Sequence, residues 1–80
     1  MDDGRIMNKI DELAREEHEL FEKESHGKAS DAERARLKRL QVTLDQCWDL
    51  LRQRRALREI GQNASDAHVR PAKIVEKYIG

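Results

Sequence analysis

The sequence contains few of the residues that interrupt helices or favour sheets. Its 80 residues include one proline, four glycines and one each of phenylalanine, tryptophan and tyrosine. By contrast, 40% of the residues are charged and 38% are hydrophobic. Because the charges are interleaved with regularly spaced leucines and isoleucines, we expect ordered helices rather than disorder. The composition argues against a sheet domain and predicts long, exposed helices.

Two further absences bear on where the protein works. A single cysteine, Cys47, excludes a disulfide within the chain and suits a reducing compartment. No apolar run is long enough to span a bilayer, and the acidic start of the chain does not resemble a secretory signal. We therefore expect a cytoplasmic protein that does not bind a membrane.

The sequence also lacks net charge, because 16 basic residues balance 16 acidic ones. This balance argues against a dedicated nucleic-acid-binding protein. The charges are unevenly distributed, however. Residues 1–26 hold nine acidic and four basic residues, a net charge of −5, and residues 27–61 hold five acidic and nine basic residues, a net charge of +4. Opposite charges favour the pairing of an acidic helix with a basic one.

The first helix is predicted over residues 3–25, where apolar residues recur along one narrow stripe. Glu17 interrupts that stripe, and Gly27 provides a left-handed stop after the helix. The apolar residues of the stripe are Ile6, Ile10, Leu13, Leu20 and Phe21.

The second helix is predicted to begin after Ser30, which forms a capping box with Glu33, and to end at Ile60 before Gly61. In an antiparallel hairpin we expect this helix to extend past the first one beyond Leu51. Its main apolar stripe consists of Leu37, Leu40, Leu44, Cys47, Trp48 and Leu51.

The chain is thus divided into a helical hairpin over residues 1–61 and a linker with a short C-terminal helix over residues 62–80. Residues 69–71 read Val-Arg-Pro and are predicted to be extended, because a residue before proline avoids the helical conformation. Pro71 can open the final helix. The apolar face of that helix comprises Ile74, Val75, Tyr78 and Ile79.

A second apolar stripe, formed by Thr43, Leu50 and Leu57, lies about 100° from the main stripe of the second helix. One helix cannot cover both stripes, so either the C-terminal helix or a second copy of the chain must cover the other. We predict an all-α fold: an antiparallel, coiled-coil-like two-helix hairpin with a short C-terminal helix, completed as a four-helix bundle by a homodimer. The predicted protein interface consists of Trp48, Leu50, Leu51, Leu57 and Ile60.

No residue pattern predicts catalysis. We interpret Cys47 as an inert core residue, because no histidine lies near it in the sequence. Glu17 can form an acid, base or metal site with His18, or it can pair with an arginine of this chain (Arg36 or Arg39) or of a partner chain. We favour the pairing, because a di-metal bundle needs a glutamate three residues before a histidine and residue 15 is an arginine. We therefore predict no enzyme, no metal and no cofactor.

Four arginines near the end of the second helix are the candidates for binding an anion. They also have a structural interpretation, because cations stabilise a helix C-terminus and Asp2 and Asp3 should lie close by. These arginines are Arg52, Arg54, Arg55 and Arg58.

The segment Leu44-Asp45-Gln46-Cys47-Trp48-Asp49-Leu50-Leu51-Arg52-Gln53-Arg54-Arg55-Ala56 resembles a family of short helical proteins from high-GC Gram-positive bacteria. The early Glu16-Glu17-His18 and the late Val69-Arg70-Pro71 with Val75-Glu76-x-Tyr78 add to this resemblance, and the family is known as domain-of-unknown-function family twenty-six thirty. The resemblance covers nearly the whole chain and implies one shared architecture, but no activity and no functional residue.

Three hypotheses follow. The leading one is a homodimeric helical protein–protein interaction module that binds an unidentified protein through the exposed end of its second helix. The alternative is an accessory nucleic-acid-binding protein that uses the arginines between Arg52 and Arg58. The third is a small enzyme or metal protein centred on Glu17 and His18.

Overall fold

The computed structural model describes residues 2–76, which form three α-helices and one 3₁₀ turn and contain no strand. Within the described residues, no helix is long and apolar enough to cross a membrane. Tyr78 and Ile79 of the predicted C-terminal face lie outside the described residues. The elements are α1 (Asp3–Ser25), α2 (Asp31–Glu59), the 3₁₀ turn (Ala64–Asp66) and α3 (Ala72–Glu76).

Local signals explain where the two long helices begin and end. The carboxylate of Asp2 caps α1 by accepting a hydrogen bond from the backbone N–H of Arg5 at 2.8 Å. α1 stops before Gly27, whose φ of 69° is a left-handed conformation that favours glycine. The predicted capping box of α2 is confirmed, because Ser30 and Glu33 exchange two hydrogen bonds of 3.1 Å.

The core lies between α1 and α2, as the predicted hairpin requires. The apolar stripe of α1 is buried at Ile6, Ile10 and Leu13 and is packed against α2. Leu51 and Ile6 are the most completely buried large side chains of the described chain. The side chains that form this core cluster are Ile6, Ile10, Leu13, Leu40, Leu44, Leu50 and Leu51.

Ion pairs at three levels of the hairpin agree with its antiparallel register. They connect residues near the turn, in the middle and at the open end, so α1 and α2 are aligned over most of their length. The pairs are Lys23–Glu33 at 2.8 Å, Glu16–Arg36 at 2.9 Å and Asp3–Arg54 at 2.6 Å.

The structure corrects the predicted core at two aromatic residues. Phe21 is 56% exposed and Trp48 is 41% exposed, so neither belongs to the core of the chain. Trp48 lies about 60° around α2 from the centre of the buried leucines, which places it at the edge of the seam. Phe21 occupies the equivalent edge of α1.

The second predicted stripe of α2 is covered in part by the chain itself. Leu50 is buried within the core cluster, and Ala67, which follows the 3₁₀ turn, packs against that cluster. The segment after α2 therefore folds back onto the helix through Ala67 of the predicted linker, and α3 also contacts α2. The two predicted covers of this stripe were the C-terminal helix and a second copy of the chain, and coverage by a second copy stays a prediction. Leu57 is half-buried and Ile60 is exposed. α2 extends past α1 less than expected, because Asp3 reaches Arg54.

Candidate interaction surfaces

One flank of the hairpin exposes large apolar side chains. Met7, Ala14 and Phe21 recur every seven residues and therefore lie along one side of α1. Ala14 and Phe21 line a shallow depression together with Gln41 of α2. Trp48 follows Gln41 by seven residues, so antiparallel packing brings it level with Met7. We refer to these five residues as the aromatic flank.

The opposite side of α2 holds the segment that follows it, residues 62–72, which we refer to as the tail. The side-chain amide of Gln46 donates a hydrogen bond to the carbonyl of Arg70 at 3.1 Å. The amide of Gln53 donates to the carbonyl of His68 at 2.8 Å. Residues 67–71 form no helix, and the carbonyls of His68 and Arg70 in this stretch are therefore available to α2.

A buried carboxylate completes this contact. Asp49 is only 5% exposed, and one of its oxygens accepts a hydrogen bond from Gln53 at 2.9 Å. The guanidinium of Arg70 approaches the same oxygen at 3.5 Å. Because an unpaired buried charge is costly, these partners explain how Asp49 is tolerated. We refer to Gln46, Asp49, Gln53 and their tail partners as the tail clasp.

The open end of the hairpin is closed by Asp3. Its carboxylate accepts hydrogen bonds from the guanidinium groups of Arg58 and Arg54. Arg58 and Arg54 together lower the pKa of Asp3 from 3.8 to about 2, because both stabilise the carboxylate. Arg54 also donates to the carbonyl of Ala64 at 3.3 Å, so it connects α1, α2 and the tail.

The four candidate anion-binding arginines therefore have different surroundings. The side chain of Arg54 is only 12% exposed and, with Arg58, is held by Asp3. Arg52 and Arg55 are exposed, and Arg52 lines an open cleft beside the tail clasp. The proximity of Asp3 that the sequence predicted is confirmed, and anion binding stays a prediction.

Glu17 is half-buried and lines the depression of the aromatic flank with His18. The predicted partner Arg36 instead pairs with Glu16 through two hydrogen bonds of 2.9 and 3.0 Å, which lower the pKa of Glu16. His18 lies 3.3 Å from the carboxylate of Glu22. Across residues 2–76, no three His, Cys, Asp or Glu residues are grouped so that they could hold a metal ion.

Cys47 is half-buried against the core cluster. Burial raises the pKa of its thiol, although nearby Lys9 acts in the opposite direction. A raised pKa reduces the fraction of reactive thiolate. This environment agrees with the interpretation of Cys47 as a packing residue.

The predicted interface residues do not form one continuous surface. Leu50 and Leu51 are buried within the single chain. Trp48 lies on the aromatic flank, whereas Leu57 and Ile60 lie at the far end of α2. The exposed apolar side chains therefore occupy two separate places on the hairpin.

Sequence reasoning missed the tail clasp. Gln46, Asp49 and Gln53 are separated by three and four residues, the spacing that places side chains on one side of a helix. The pattern is present in the sequence, but it is polar, and a polar column does not by itself indicate a packing partner. The segment before Pro71, which is predicted to be extended, is a second signal for the tail clasp, because the carbonyls of an extended segment need hydrogen-bond donors.

Comparison with known proteins agrees with one architecture over the whole chain. The family model described as "Protein of unknown function (DUF2630)" matches residues 2–80. Uncharacterized proteins of Mycobacterium tuberculosis and Mycobacterium bovis are 47% identical over 79 residues, covering 98% of this chain and 91% of each relative. No solved structure matches the chain. The resemblance found in the sequence is confirmed: the chain belongs to the family of proteins of unknown function DUF2630.

Proposed function

We propose that the protein is a homodimeric helical interaction module without catalysis, and that two copies associate through their aromatic flanks. The observation that carries the proposal is the exposure of Phe21, Trp48 and Met7 on one side of the hairpin. Large apolar side chains grouped on one surface are typical of protein interfaces. Trp is also the residue type most enriched among the strongest contacts of interfaces.

The charge distribution favours a second copy of the chain as the molecule that covers the aromatic flank, and it also favours one orientation of that copy. α1 lies in the segment of net charge −5 and α2 in the segment of net charge +4. A twofold axis parallel to the helices places α1 of each copy opposite α2 of the other, so that unlike charges face each other. An axis across the helices would instead place α1 against α1, with like charges opposed.

The same geometry forms regular layers. Met7 and Trp48 lie level in one hairpin, so the two copies would contribute four apolar side chains to one layer of the bundle. Ala14 and Gln41 form the next layer. Phe21 lies a further seven residues along α1 and level with Arg34, whose guanidinium can stack on an aromatic ring.

The exposed end of α2 remains available for a further, unidentified protein. Leu57 and Ile60 lie beyond the aromatic flank, so dimerisation would leave Leu57 half-buried and Ile60 exposed. A cytoplasmic location is part of the proposal, since Cys47 is unpaired.

Sedimentation velocity over a range of concentrations tests the dimer. We expect a species of twice the 9.4 kDa chain mass. Trp48→Glu and Phe21→Glu should each shift the equilibrium to the monomer, because they would bury a charge in the interface. Ile60→Glu is the matched control and should leave the dimer unchanged. A monomer at all concentrations would refute the proposal.

The fluorescence of Trp48, which is the chain's single tryptophan, gives an independent measurement. Its emission should shift to shorter wavelength as the protein concentration rises, because the dimer removes the indole from water. An emission maximum that does not change over the concentrations at which sedimentation shows the monomer becoming a dimer would place the interface elsewhere.

A further inference from the structure

A column of three polar side chains on α2 holds the tail by its backbone. Gln46 donates to the carbonyl of Arg70, and Gln53 donates to the carbonyl of His68. These carbonyls belong to residues two apart, and alternate carbonyls of an extended chain point the same way. These two hydrogen bonds therefore recognise an extended backbone, and they do not depend on most of the side chains that this backbone carries.

One side chain of the tail is recognised specifically. Asp49 lies in the middle of the column and is buried, and its carboxylate faces the guanidinium of Arg70. Val69, between the two recognised carbonyls, is 59% exposed. A segment bound in this way must be extended and must place an arginine opposite Asp49, and its neighbouring side chains can vary.

The tail does not fill the surface it occupies. An open cleft of about 240 Å³ lies beside the Asp49–Arg70 pair, lined by those two residues, Arg52, Gln53 and Ala56. Between residues 62 and 71, Ala67 is the residue that packs against the core cluster. The 3₁₀ turn and α3, on either side of residues 68–71, also contact α2. Residues 68–71 themselves are held by hydrogen bonds that replace hydrogen bonds to water, so the net contribution of each is small and this stretch can be displaced.

We propose that the Gln46–Asp49–Gln53 column is a binding site for an extended, arginine-containing segment of a partner protein, which displaces residues 68–71 of the chain's own tail. The tail acts as an internal competitor that satisfies Asp49 when no partner is bound. Charge complementarity identifies the partner, since the buried carboxylate requires a cation and the two amides require backbone carbonyls. The column lies about 130° around α2 from Trp48, so this proposal does not depend on the dimer.

A fluorescent peptide of residues 62–73 tests the site as a substitute partner. In the full chain carrying Arg70→Glu, the internal competitor is repelled by Asp49 and the column should be free. We expect this chain to bind the peptide at least about tenfold more tightly than the wild-type chain, measured by fluorescence anisotropy. In the wild-type chain the peptide can bind only while the chain's own tail has left the column. If this open state is populated no more than about a tenth of the time, the apparent affinity of the wild-type chain is lowered at least about tenfold.

A charge reversal provides the matched control. The full chain carrying Asp49→Arg should bind a peptide with glutamate in place of Arg70 and should not bind the wild-type peptide. Adding Gln53→Leu to the Arg70→Glu chain removes a backbone contact and should weaken binding several-fold, which keeps the test informative if Asp49→Arg does not fold. Circular dichroism verifies the fold of each variant.

Two results would overturn the proposal. One is an Arg70→Glu chain, folded by circular dichroism, that does not bind the wild-type peptide. The other is equal binding of the wild-type and glutamate peptides, which would mean that Asp49 does not select the arginine. In either case the tail clasp would be a structural contact only, whatever the outcome of the dimer experiments.

Discussion

The seam between α1 and α2 buries a cluster of seven aliphatic side chains, whereas the tail clasp joins side-chain amides and one carboxylate to a backbone. Both contacts involve the same helix, and in its C-terminal half they lie on different sides of it. A fully buried Leu or Ile contributes roughly 1.5–3 kcal/mol, but a hydrogen bond that replaces water contributes about 1 kcal/mol. One helix therefore carries a strong apolar contact on one side and a weaker polar contact on another.

The largest effect should come from breaking the seam. Leu51 is 2% exposed, so Leu51→Ala should lower the free energy of unfolding by about 2–5 kcal/mol through lost burial and a cavity. Urea unfolding followed by circular dichroism at fixed protein concentration measures this change.

Leu57→Ala is the matched control for Leu51→Ala. Leu57 lies on the same helix and is only half-buried, so its truncation should cost clearly less. Equal losses for the two variants would show that the seam is not the main source of stability.

Breaking the clasp should open the tail and leave the hairpin folded. Asp49→Ala removes one partner of Arg70 and one partner of Gln53, and we expect it to weaken the contact between the tail and α2 by about 1–3 kcal/mol. NMR amide shifts should change mainly in residues 62–74, while the urea midpoint should move less than for Leu51→Ala.

Asp11→Ala, which removes an exposed carboxylate of α1, is the control and should leave the shifts of the tail unchanged. If Asp49→Ala unfolded α1 and α2 together with the tail, the two contacts would not be separable.

Removing the capping box at the start of α2 should lower the stability of the hairpin and leave the contact between the tail and α2 unchanged. Ser30→Ala removes the acceptor of the Glu33 backbone N–H and should cost about 1 kcal/mol of global stability. Thermal unfolding should reveal this loss without changed amide shifts in the tail. Ser25→Ala, at the end of α1, makes a suitable comparison because its hydroxyl donates to a carbonyl of its own helix and caps no helix start.

The smallest effect should be the acid dependence of the Asp3 contact. The pKa of Asp3 is lowered to about 2, so its stabilising contribution is complete above its ordinary value of 3.8 and disappears as the pH falls through about 2. Asp3→Asn should therefore lower Tm near neutral pH, and its difference from wild type should shrink between about pH 4 and about pH 2. Asp11→Asn serves as the control, and a pH-independent difference for Asp3→Asn would contradict the assignment.

How far the sequence predicted the structure depended on the kind of contact. Helix bounds followed from Ser30, Glu33 and the glycines because capping and left-handed turns are local, and these predictions are confirmed. The exposure of Trp48 could not be read from a wheel alone. The spacing of the apolar residues places Trp48 in the main stripe of α2. In the structure the buried side of α2 includes Leu50, next to Ala67 of the tail, and Trp48 lies at the edge of the buried side.

The sequence contains the polar column of the tail clasp but does not identify the groups that it binds. The donors of the clasp are glutamines and its acceptors are backbone carbonyls, and every residue has a carbonyl. Neither Gln46 nor Gln53 therefore identified its partner in advance. The Asp3–Arg54 contact, in contrast, was predictable, because charge and antiparallel register together brought those residues near each other.

Native-state hydrogen exchange of the wild-type protein tests most directly whether the tail opens independently of the hairpin. The amides of Asp66 and Ala67 report on the tail, and the amides of Leu44 and Leu51 report on the seam. We expect the tail amides to exchange with an opening free energy at least about 2 kcal/mol below that of the seam amides. Equal opening free energies at all four amides would mean that tail and hairpin unfold as one unit, and would contradict the account.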